Sequence, residues 1–105
     1  MGFFDFLREA DINQGVAEYH ETPGAILLDV REPQEYHYKR IPDSINIPLK
    51  SIDTVSSIAK QDTPLFVYCY SGARSSQAVK RLQRMGFSNV KNIGGIASYT
   101  GKVES

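Results

Sequence analysis

The stretch of sequence that says most about the fold is Leu65-Phe66-Val67-Tyr68-Cys69-Tyr70-Ser71-Gly72-Ala73-Arg74-Ser75-Ser76. Its first four residues are a continuous apolar run, which is typical of a strand covered on both faces. The next residues bring a thiol, a glycine and a guanidinium together in a short loop. Apolar residues at helical spacing begin at Ala78. The stretch therefore predicts a buried strand, a loop and a helix in direct succession.

Strands and helices alternate along the rest of the chain. Short apolar runs predict three more strands, at 25–28, 44–47 and 90–93. Apolar residues at helical spacing predict helices at 12–19 behind the N-cap Asp11, at 52–59 behind Ser51, and at 78–85. Pro33, a residue favoured in the first turn of a helix, predicts a short helix at 33–38. Alternation with short connections predicts an α/β fold, in which helices cover both faces of a mostly parallel sheet. Such folds place their chemistry at the carboxyl ends of the strands.

Length and composition limit the classes of function. A chain of 105 residues is one domain, and its 12 basic and 12 acidic residues cancel. No broad positive field therefore indicates a nucleic-acid or acidic-membrane binder. The single cysteine rules out an internal disulfide framework, and two histidines make a metal site unexpected. Because a lone thiol suits a reducing compartment and no apolar run approaches ~18 residues, we expect a cytoplasmic protein that binds neither nucleic acid nor membrane.

The chain divides into three predicted parts. Residues 1–10 form an amphipathic N-terminal segment, residues 11–100 the domain, and residues 101–105 a C-terminal tail. The first segment is apolar, but Asp5 interrupts it and no basic region precedes it, so it does not have the form of a targeting signal. We expect its apolar side chains to pack on the body of the domain, with a weak membrane or partner contact as the alternative.

Cys69 is the candidate nucleophile, because a buried strand delivers it to a loop at the start of a helix. Such a loop can turn several backbone N–H groups inward around an anion. Gly72 permits backbone conformations that are closed to other residues, and Ser75 or Ser76 can cap the helix. The alternative for Cys69 is a buried small hydrophobe, as isolated intracellular cysteines commonly are.

The thiol needs help to react, since a free thiol is only about 3% ionised at pH 7. A helix N-terminus supplies roughly 0.3–1 kcal/mol at an exposed site, which is too little to ionise most of it. A guanidinium about 5 Å away, at an effective dielectric near 20, supplies ~3 kcal/mol before desolvation is counted. The residues therefore predict Arg74 as the principal cation beside Cys69.

Three further motifs accompany the Cys69 loop, and all four occur in a characteristic order. They are Asp29-Val30-Arg31-Glu32-Pro33 with Glu35-Tyr36, then Ile41-Pro42-Asp43-Ser44-Ile45-Asn46-Ile47-Pro48-Leu49, then the loop, then Asn92-Ile93-Gly94-Gly95-Ile96. Together they resemble the single-domain rhodanese-like sulfurtransferases, over about residues 12–99. The chain departs from the family in having Lys39-Arg40 where a Gly-His pair is common, and Tyr99 in place of a late Trp. The two cations would be available to an anionic substrate or partner.

The resemblance implies a fold and a site. The fold is a five-stranded parallel sheet with helices on both faces, and Asp29 and Arg31 organise its loops. The site is a cysteine that carries sulfur as a persulfide, by position Cys69. The family's anion cradle corresponds to Arg74 and the loop residues Tyr70, Ser71, Gly72, Ala73 and Ser75, with Tyr70 and Ser71 shaping the entrance.

The expected activity is thiosulfate sulfurtransferase. A small anionic donor, thiosulfate or a persulfide, would give its sulfur to Cys69, and cyanide or a thiol would then take it, with no metal or organic cofactor. An acceptor protein is also open. One alternative is a non-catalytic binding module or a sulfur carrier. Another is a cysteine phosphatase or arsenate reductase, but such enzymes typically have five residues between Cys and Arg, and here there are four.

Overall fold

The computed structural model describes residues 10–105. All of the predicted N-terminal segment except Ala10 therefore lies outside the described residues. The elements, in chain order, are α1 (Ile12–His20), β1 (Ile26–Asp29), α2 (Pro33–Tyr38), β2 (Ile45–Asn46), a 3₁₀ helix (Leu49–Ser57), β3 (Leu65–Cys69), α3 (Ala73–Arg84), β4 (Val90–Gly95) and a short 3₁₀ turn (Ile96–Ser98). No helix in this part of the chain is both long and apolar enough to cross a bilayer.

The four strands form one parallel sheet in the order β2-β1-β3-β4. The predicted α/β class and the predicted strands are confirmed. The expectation of five strands, taken from the family resemblance, is wrong for residues 10–105. After β4 the chain turns directly into the 3₁₀ turn, and its later strand-like contact is an isolated antiparallel bridge between Arg40 and Glu104. That bridge ties the predicted tail at 101–105 back to the domain.

The central strands β1 and β3 are buried on both faces, as their continuous apolar runs predict. Adjacent residues of β1 point to opposite sides of the sheet. Leu28 therefore packs in the layer that contains the 3₁₀ helix and α3, whereas Leu27 packs in the layer that contains α1. Each layer closes one hydrophobic core against the sheet, so the sheet lies between two helical layers.

The helix boundaries follow local chemistry. Asp11 caps α1 as predicted, since its Oδ1 accepts hydrogen bonds from Asn13 N at 3.0 Å and Gln14 N at 3.4 Å. The helix predicted behind Ser51 is present, because Ser51 has a non-helical backbone (φ −110°, ψ 17°) and the helical residues up to Ser57 follow it. A short turn at Leu49 and Lys50, directly after Pro48, precedes this kink and is continuous with the 3₁₀ helix.

Candidate functional site

Strand β3 ends at Cys69, which lies in the centre of the sheet between β1 and β4. Strand alternation directs the Cys69 side chain toward the layer of α3, where it packs with Leu28, Val67 and Ala78. The whole residue is 0% exposed. Burial alone would favour the interpretation of Cys69 as a small hydrophobe, so the groups around its sulfur decide between the two interpretations.

Polar hydrogens converge on the Cys69 sulfur. Gly72 N–H donates to Sγ over 3.0 Å and Ser75 N–H over 3.3 Å, while Ser75 Oγ lies 3.4 Å from Sγ. Burial raises the pKa of the Cys69 thiol, but hydrogen bonds from the Ser75 hydroxyl and from the N–H groups of Ser75, Gly72 and Ser71 outweigh it. The pKa therefore lies below its ordinary value. The environment of Cys69 is that of an activated thiol.

Gly72 makes this geometry possible. It is the N-cap of α3 and has a φ of +102°, a left-handed conformation that favours glycine. The turn at Gly72 directs the first N–H groups of the helix back toward Sγ. The expectation that Ser75 or Ser76 caps the helix is wrong, because α3 begins at Ala73 and both serines lie inside its first turn.

The Ser75 side chain faces inward and meets Asn92 of β4. Ser75 Oγ donates to Asn92 Oδ1 over 2.7 Å, and Asn92 Oδ1 also accepts from Gly94 N at 3.0 Å. Asn92 Nδ2 donates to Gly72 O over 3.3 Å. The Asn-Ile-Gly-Gly motif carries part of the family resemblance, but sequence reasoning gave Asn92 no function. The structure places it two hydrogen bonds away from the Cys69 sulfur.

Arg74 does not contact Sγ by a hydrogen bond. Its guanidinium instead makes a two-pronged ion pair with Glu35 of α2, with Nη1–Oε1 at 2.7 Å and Nη2–Oε2 at 3.1 Å. Glu35 Oε1 also accepts from Glu32 N at 2.9 Å, which anchors the carboxylate at the start of α2. Hydrogen bonding to Arg74 holds the pKa of Glu35 below its ordinary value. Sequence reasoning missed Glu35 as a partner of the loop.

The loop packs tightly on the end of β4. Gly95 pairs with Cys69 across the sheet, and a Cβ at Gly95 would overlap the Tyr70 carbonyl oxygen and Ser71 Cα. The same Tyr70 carbonyl accepts from Ala97 N at 3.1 Å. The Gly-Gly pair of the fourth motif therefore has a steric purpose at Gly95: it gives the loop room to lie against the strand.

Two open clefts flank the loop. One, of about 580 Å³, is lined by Ala10, Ser71, Gly72, Ala73, Ser76, Asn92, Gly94, Gly95 and Ser98. The other, of about 340 Å³, is lined by Arg31, Glu35, Tyr38, Lys39, Tyr70, Ile96 and Ala97. The predicted site residues divide accordingly: Ser71, Gly72 and Ala73 face the first cleft and the half-exposed Tyr70 the second. Ser75 is buried against Cys69.

Cys69 itself lines neither of these clefts, because the loop covers its sulfur. The assignment of Tyr70, Ser71, Gly72, Ala73 and Ser75 as substrate-binding residues therefore stays a prediction. For these residues to bind substrate, the sulfur donor would have to reach Cys69 Sγ past the edge of the loop.

Asp29 and Arg31 form a buried ion pair at the end of β1. Arg31 Nη2 lies 2.6 Å from Asp29 Oδ2, its Nε donates to both carboxylate oxygens, and Nη2 also donates to Lys39 O over 2.7 Å. Both residues are buried. The pair thus joins β1 to the end of α2, in keeping with the expected structural role.

The two cations of Lys39-Arg40 have different surroundings. Lys39 is exposed and lines the second cleft. Arg40 is occupied, since its guanidinium lies 4.9 Å from the centre of the Tyr36 ring and its Nε pairs with Glu104 at 3.3 Å. Of the two cations expected to be available, Lys39 thus faces a cleft, whereas an anion at Arg40 would have to compete with Glu104.

Comparison with known proteins defines the class. Residues 13–102 match the model of the rhodanese-like domain. The chain belongs to the rhodanese-like domain family, as its motifs predict.

Individual relatives have related names. Thiosulfate sulfurtransferase GlpE of Pseudomonas syringae pv. syringae is 42% identical over 72 residues, which are 69% of this chain and 68% of that protein. Thiosulfate sulfurtransferase PspE of Escherichia coli is 35% identical over 71 residues, 66% of this chain and 68% of its own. The putative sulfur carrier protein YrkF of Bacillus subtilis is 34% identical over 79 residues, which are 74% of this chain but only 43% of YrkF. These names support a rhodanese-like sulfurtransferase.

Solved structures agree on the fold. The E. coli structure described as a rhodanese with anions has a TM-score of 0.72 at 30% identity, and covers 76% of this chain and 96% of its own. The Alr3790 protein from Anabaena sp. has a TM-score of 0.81 at 27% identity, and covers 90% of this chain and 79% of its own. The rhodanese-like fold predicted from the motifs is confirmed.

Proposed function

We propose that this chain is a thiosulfate sulfurtransferase that carries sulfur on Cys69 as a persulfide. The observation that carries the proposal is the convergence of Gly72 N–H and Ser75 N–H on the Cys69 sulfur. Backbone donors held by a helix N-terminus and a left-handed glycine stabilise an anion at a fixed place, because they need no reorganisation when the charge forms.

The proposed reaction has two displacement steps. The Cys69 thiolate attacks the outer sulfur of thiosulfate, so that a new S–S bond forms, the S–S bond of thiosulfate breaks, and sulfite leaves with the electron pair. Cyanide or a thiolate then attacks the outer sulfur of the persulfide and forms a new bond to it. The S–S bond of the persulfide breaks, its electron pair restores the Cys69 thiolate, and the acceptor leaves carrying the sulfur. Charge and atoms balance in each step, and the reaction needs no metal or organic cofactor.

Arg74 is proposed to bind the anionic donor. Its side chain is 34% exposed and lies at the junction of the loop and α2. Because Glu35 holds it, the donor must share the guanidinium with a carboxylate or displace that carboxylate. Lys39 on the neighbouring cleft offers a second positive charge that an anion could use.

The proposed location, the cytoplasm, rests on the lone thiol alone.

Two measurements test the proposal. Wild type should release thiocyanate from thiosulfate and cyanide. Cys69→Ser should abolish the release while leaving the unfolding free energy nearly unchanged at a pH low enough to keep the wild-type thiol protonated. After incubation with thiosulfate alone, the intact mass should rise by one sulfur atom, and Cys69→Ala should not show the rise. Ser76→Ala, in the same helical turn, serves as a folded control. Thiocyanate release by Cys69→Ser would disprove the mechanism.

A sulfur carrier is the second candidate, because the relative YrkF is named as a putative sulfur carrier protein and Cys69 lies beneath its loop. A carrier would load sulfur stoichiometrically but turn over thiosulfate and cyanide only slowly. Rapid loading with slow turnover would therefore favour the carrier, and comparable rates of the two would favour the enzyme. A chain that neither loads nor turns over would be a binding module.

A further inference from the structure

The Ser75 hydroxyl has one proton and three acceptors within reach. Asn92 Oδ1 lies 2.7 Å from Ser75 Oγ, Gly72 O lies 3.1 Å away, and Cys69 Sγ 3.4 Å away. A hydroxyl can donate to only one of them at a time. The acceptor that receives this proton decides whether Ser75 stabilises the thiolate or leaves the thiol protonated.

The Gly72 carbonyl competes weakly for that proton. Its oxygen already accepts from Ser76 N at 3.0 Å and from Asn92 Nδ2 at 3.3 Å. Since a carbonyl oxygen has two lone pairs, both are engaged without the serine. The competition is therefore between Asn92 Oδ1 and the Cys69 sulfur.

The orientation of the Asn92 amide is fixed by its neighbours. Gly94 N–H can only donate, so the atom of Asn92 that faces it must be the oxygen. Gly72 O can only accept, so the atom that faces it must be the nitrogen. Asn92 consequently holds an acceptor oxygen beside Ser75, and the amide cannot flip without losing both contacts.

We propose that Asn92 is a positioning residue that restrains ionisation of Cys69 by competing for the Ser75 hydroxyl proton. In the thiol state, S–H donates to Ser75 Oγ while Ser75 O–H donates to Asn92. In the thiolate state, the Ser75 O–H turns to the sulfur and the 2.7 Å bond to Asn92 breaks. The cost of that bond sets how readily the thiol ionises.

The restraint that Asn92 places on ionisation would affect the rate of sulfur transfer, a consequence that rests on the proposed function. A thiolate becomes a weaker nucleophile as its pKa falls, so the best attacking thiol has a pKa near the ambient pH. Two backbone donors and a permanent hydroxyl donor would together over-stabilise the anion. Asn92 Oδ1, which accepts the Ser75 hydroxyl proton in the thiol form, reduces this stabilisation of the thiolate.

Most charged groups on the elements that pack around Cys69 are held in ion pairs. The pairs are Asp29 with Arg31, Arg74 with Glu35, Asp53 with Arg81, Lys50 with Glu32, and Lys91 with Glu18, and α3 also carries the exposed Lys80 and Arg84. Tyr70 is the titratable side chain of the loop itself, and it is exposed. A change at Asn92, which carries no charge, leaves all of these pairs in place.

The test is a double-mutant cycle on the thiol, read from the ultraviolet absorbance of the thiolate against pH, with Cys69→Ser as the blank. Asn92→Ala should raise the thiolate-to-thiol ratio about three- to tenfold at a pH below the midpoint, as expected for removal of one competing hydrogen bond. Ser75→Ala should lower the ratio about tenfold. In the Ser75→Ala background, Asn92→Ala should have no effect, because the residue through which it acts is absent.

An unchanged or lower ratio in Asn92→Ala would overturn the proposal, and so would an equal rise in both backgrounds. Ser75→Thr, which keeps the hydroxyl, should retain the response to Asn92→Ala. If Asn92→Ala does not fold, Asn92→Leu supplies the test, because it has nearly the same shape and removes the acceptor without adding a charge. It should also raise the ratio, and an unchanged or lower ratio would refute the proposal. These titrations measure ionisation and not sulfur transfer, so they test the role of Asn92 even if the proposed function fails.

Discussion

Replacing Gly95 with alanine adds a methyl group where the structure has no space for one. Gly95 has an ordinary extended backbone, with a φ of −125°, so alanine brings no conformational strain of its own. The obstacle is steric, because the new Cβ would overlap the Tyr70 carbonyl oxygen and Ser71 Cα. These are backbone atoms of the Cys69 loop and cannot turn aside as a flexible side chain would. The loop or β4 must move.

The size of the effect follows from that movement. Overpacking a closely packed site typically costs about 1–3 kcal/mol, and each kcal/mol lowers the Tm of a domain this small by roughly 4–8 °C. Activity should suffer more, because the displaced segment leads directly to the Gly72 N–H that points at Sγ over 3.0 Å. A shift of about 1 Å in a positioned group can cost ~100-fold in rate. We expect kcat/KM for sulfur transfer to fall by about that factor.

Gly24→Ala provides the matched control. Gly24 has a φ of +78°, and a Cβ added there would have no neighbouring atom within 4 Å, so alanine is strained but not crowded. It lies just before β1, at the opposite end of the sheet from Cys69. We expect a comparable stability loss of about 1–2 kcal/mol with unchanged kcat/KM. Urea unfolding and thiocyanate release measure the two quantities, and full activity in Gly95→Ala would refute the steric reasoning.

Three further outcomes are expected. Glu35→Gln should lower the KM for thiosulfate by releasing Arg74, and should cost at most about 0.5–1 kcal/mol of stability because both side chains are one-third exposed; a higher KM in steady-state kinetics would contradict it. The folded-state pKa of Cys69 is lowered, so its ionisation contributes stability that is complete above the unfolded thiol pKa of about 8.5 and is lost as pH falls through the folded value. The unfolding free energy of wild type relative to Cys69→Ser should therefore rise with pH across that window, and a flat difference would count against the shift. Asp29→Ala should cost about 3–5 kcal/mol of unfolding free energy in urea, because it leaves the buried Arg31 charge without a partner. The double variant Asp29→Ala/Arg31→Met should regain part of that stability, and no regain would show that the unpaired charge is not the cause of the loss.

The fold could be predicted because its signals are local. The four apolar runs mark strands whatever surrounds them, and runs without alternation indicate burial on both faces, as at Leu27 and Leu28. The start of α3 was harder to predict, because two kinds of local signal compete there. The left-handed Gly72 is the N-cap, so the serines expected to cap the helix lie inside its first turn. The family resemblance added a fifth strand that residues 10–105 do not form.

The site could be predicted only in part, because its partners are distant in sequence. Cys69 at the end of a strand, before a glycine loop, is visible in one short stretch. Glu35 lies 39 positions from Arg74, and Asn92 lies 17 positions from Ser75. Only the strand order brings these pairs together, and no periodicity or spacing indicates them. The sequence could therefore identify Cys69 as the candidate nucleophile, but not Glu35 and Asn92, which contact the residues next to it.

The ion pair between Arg74 and Glu35 changes which groups lower the pKa of the Cys69 thiol. The ~3 kcal/mol expected from a lone guanidinium assumes an unopposed charge. Arg74 is opposed by Glu35 at 2.7 Å, so the pair presents a dipole to Sγ, and the field of a dipole falls off faster with distance than that of a single charge. The hydrogen bonds from Gly72 N–H and Ser75 N–H are not weakened in this way, since they act on Sγ at 3.0 and 3.3 Å. This comparison favours the loop as the group that stabilises the thiolate. It also fits the proposed role of Arg74 in binding the anionic donor, whose charge would compete with Glu35 for the same guanidinium.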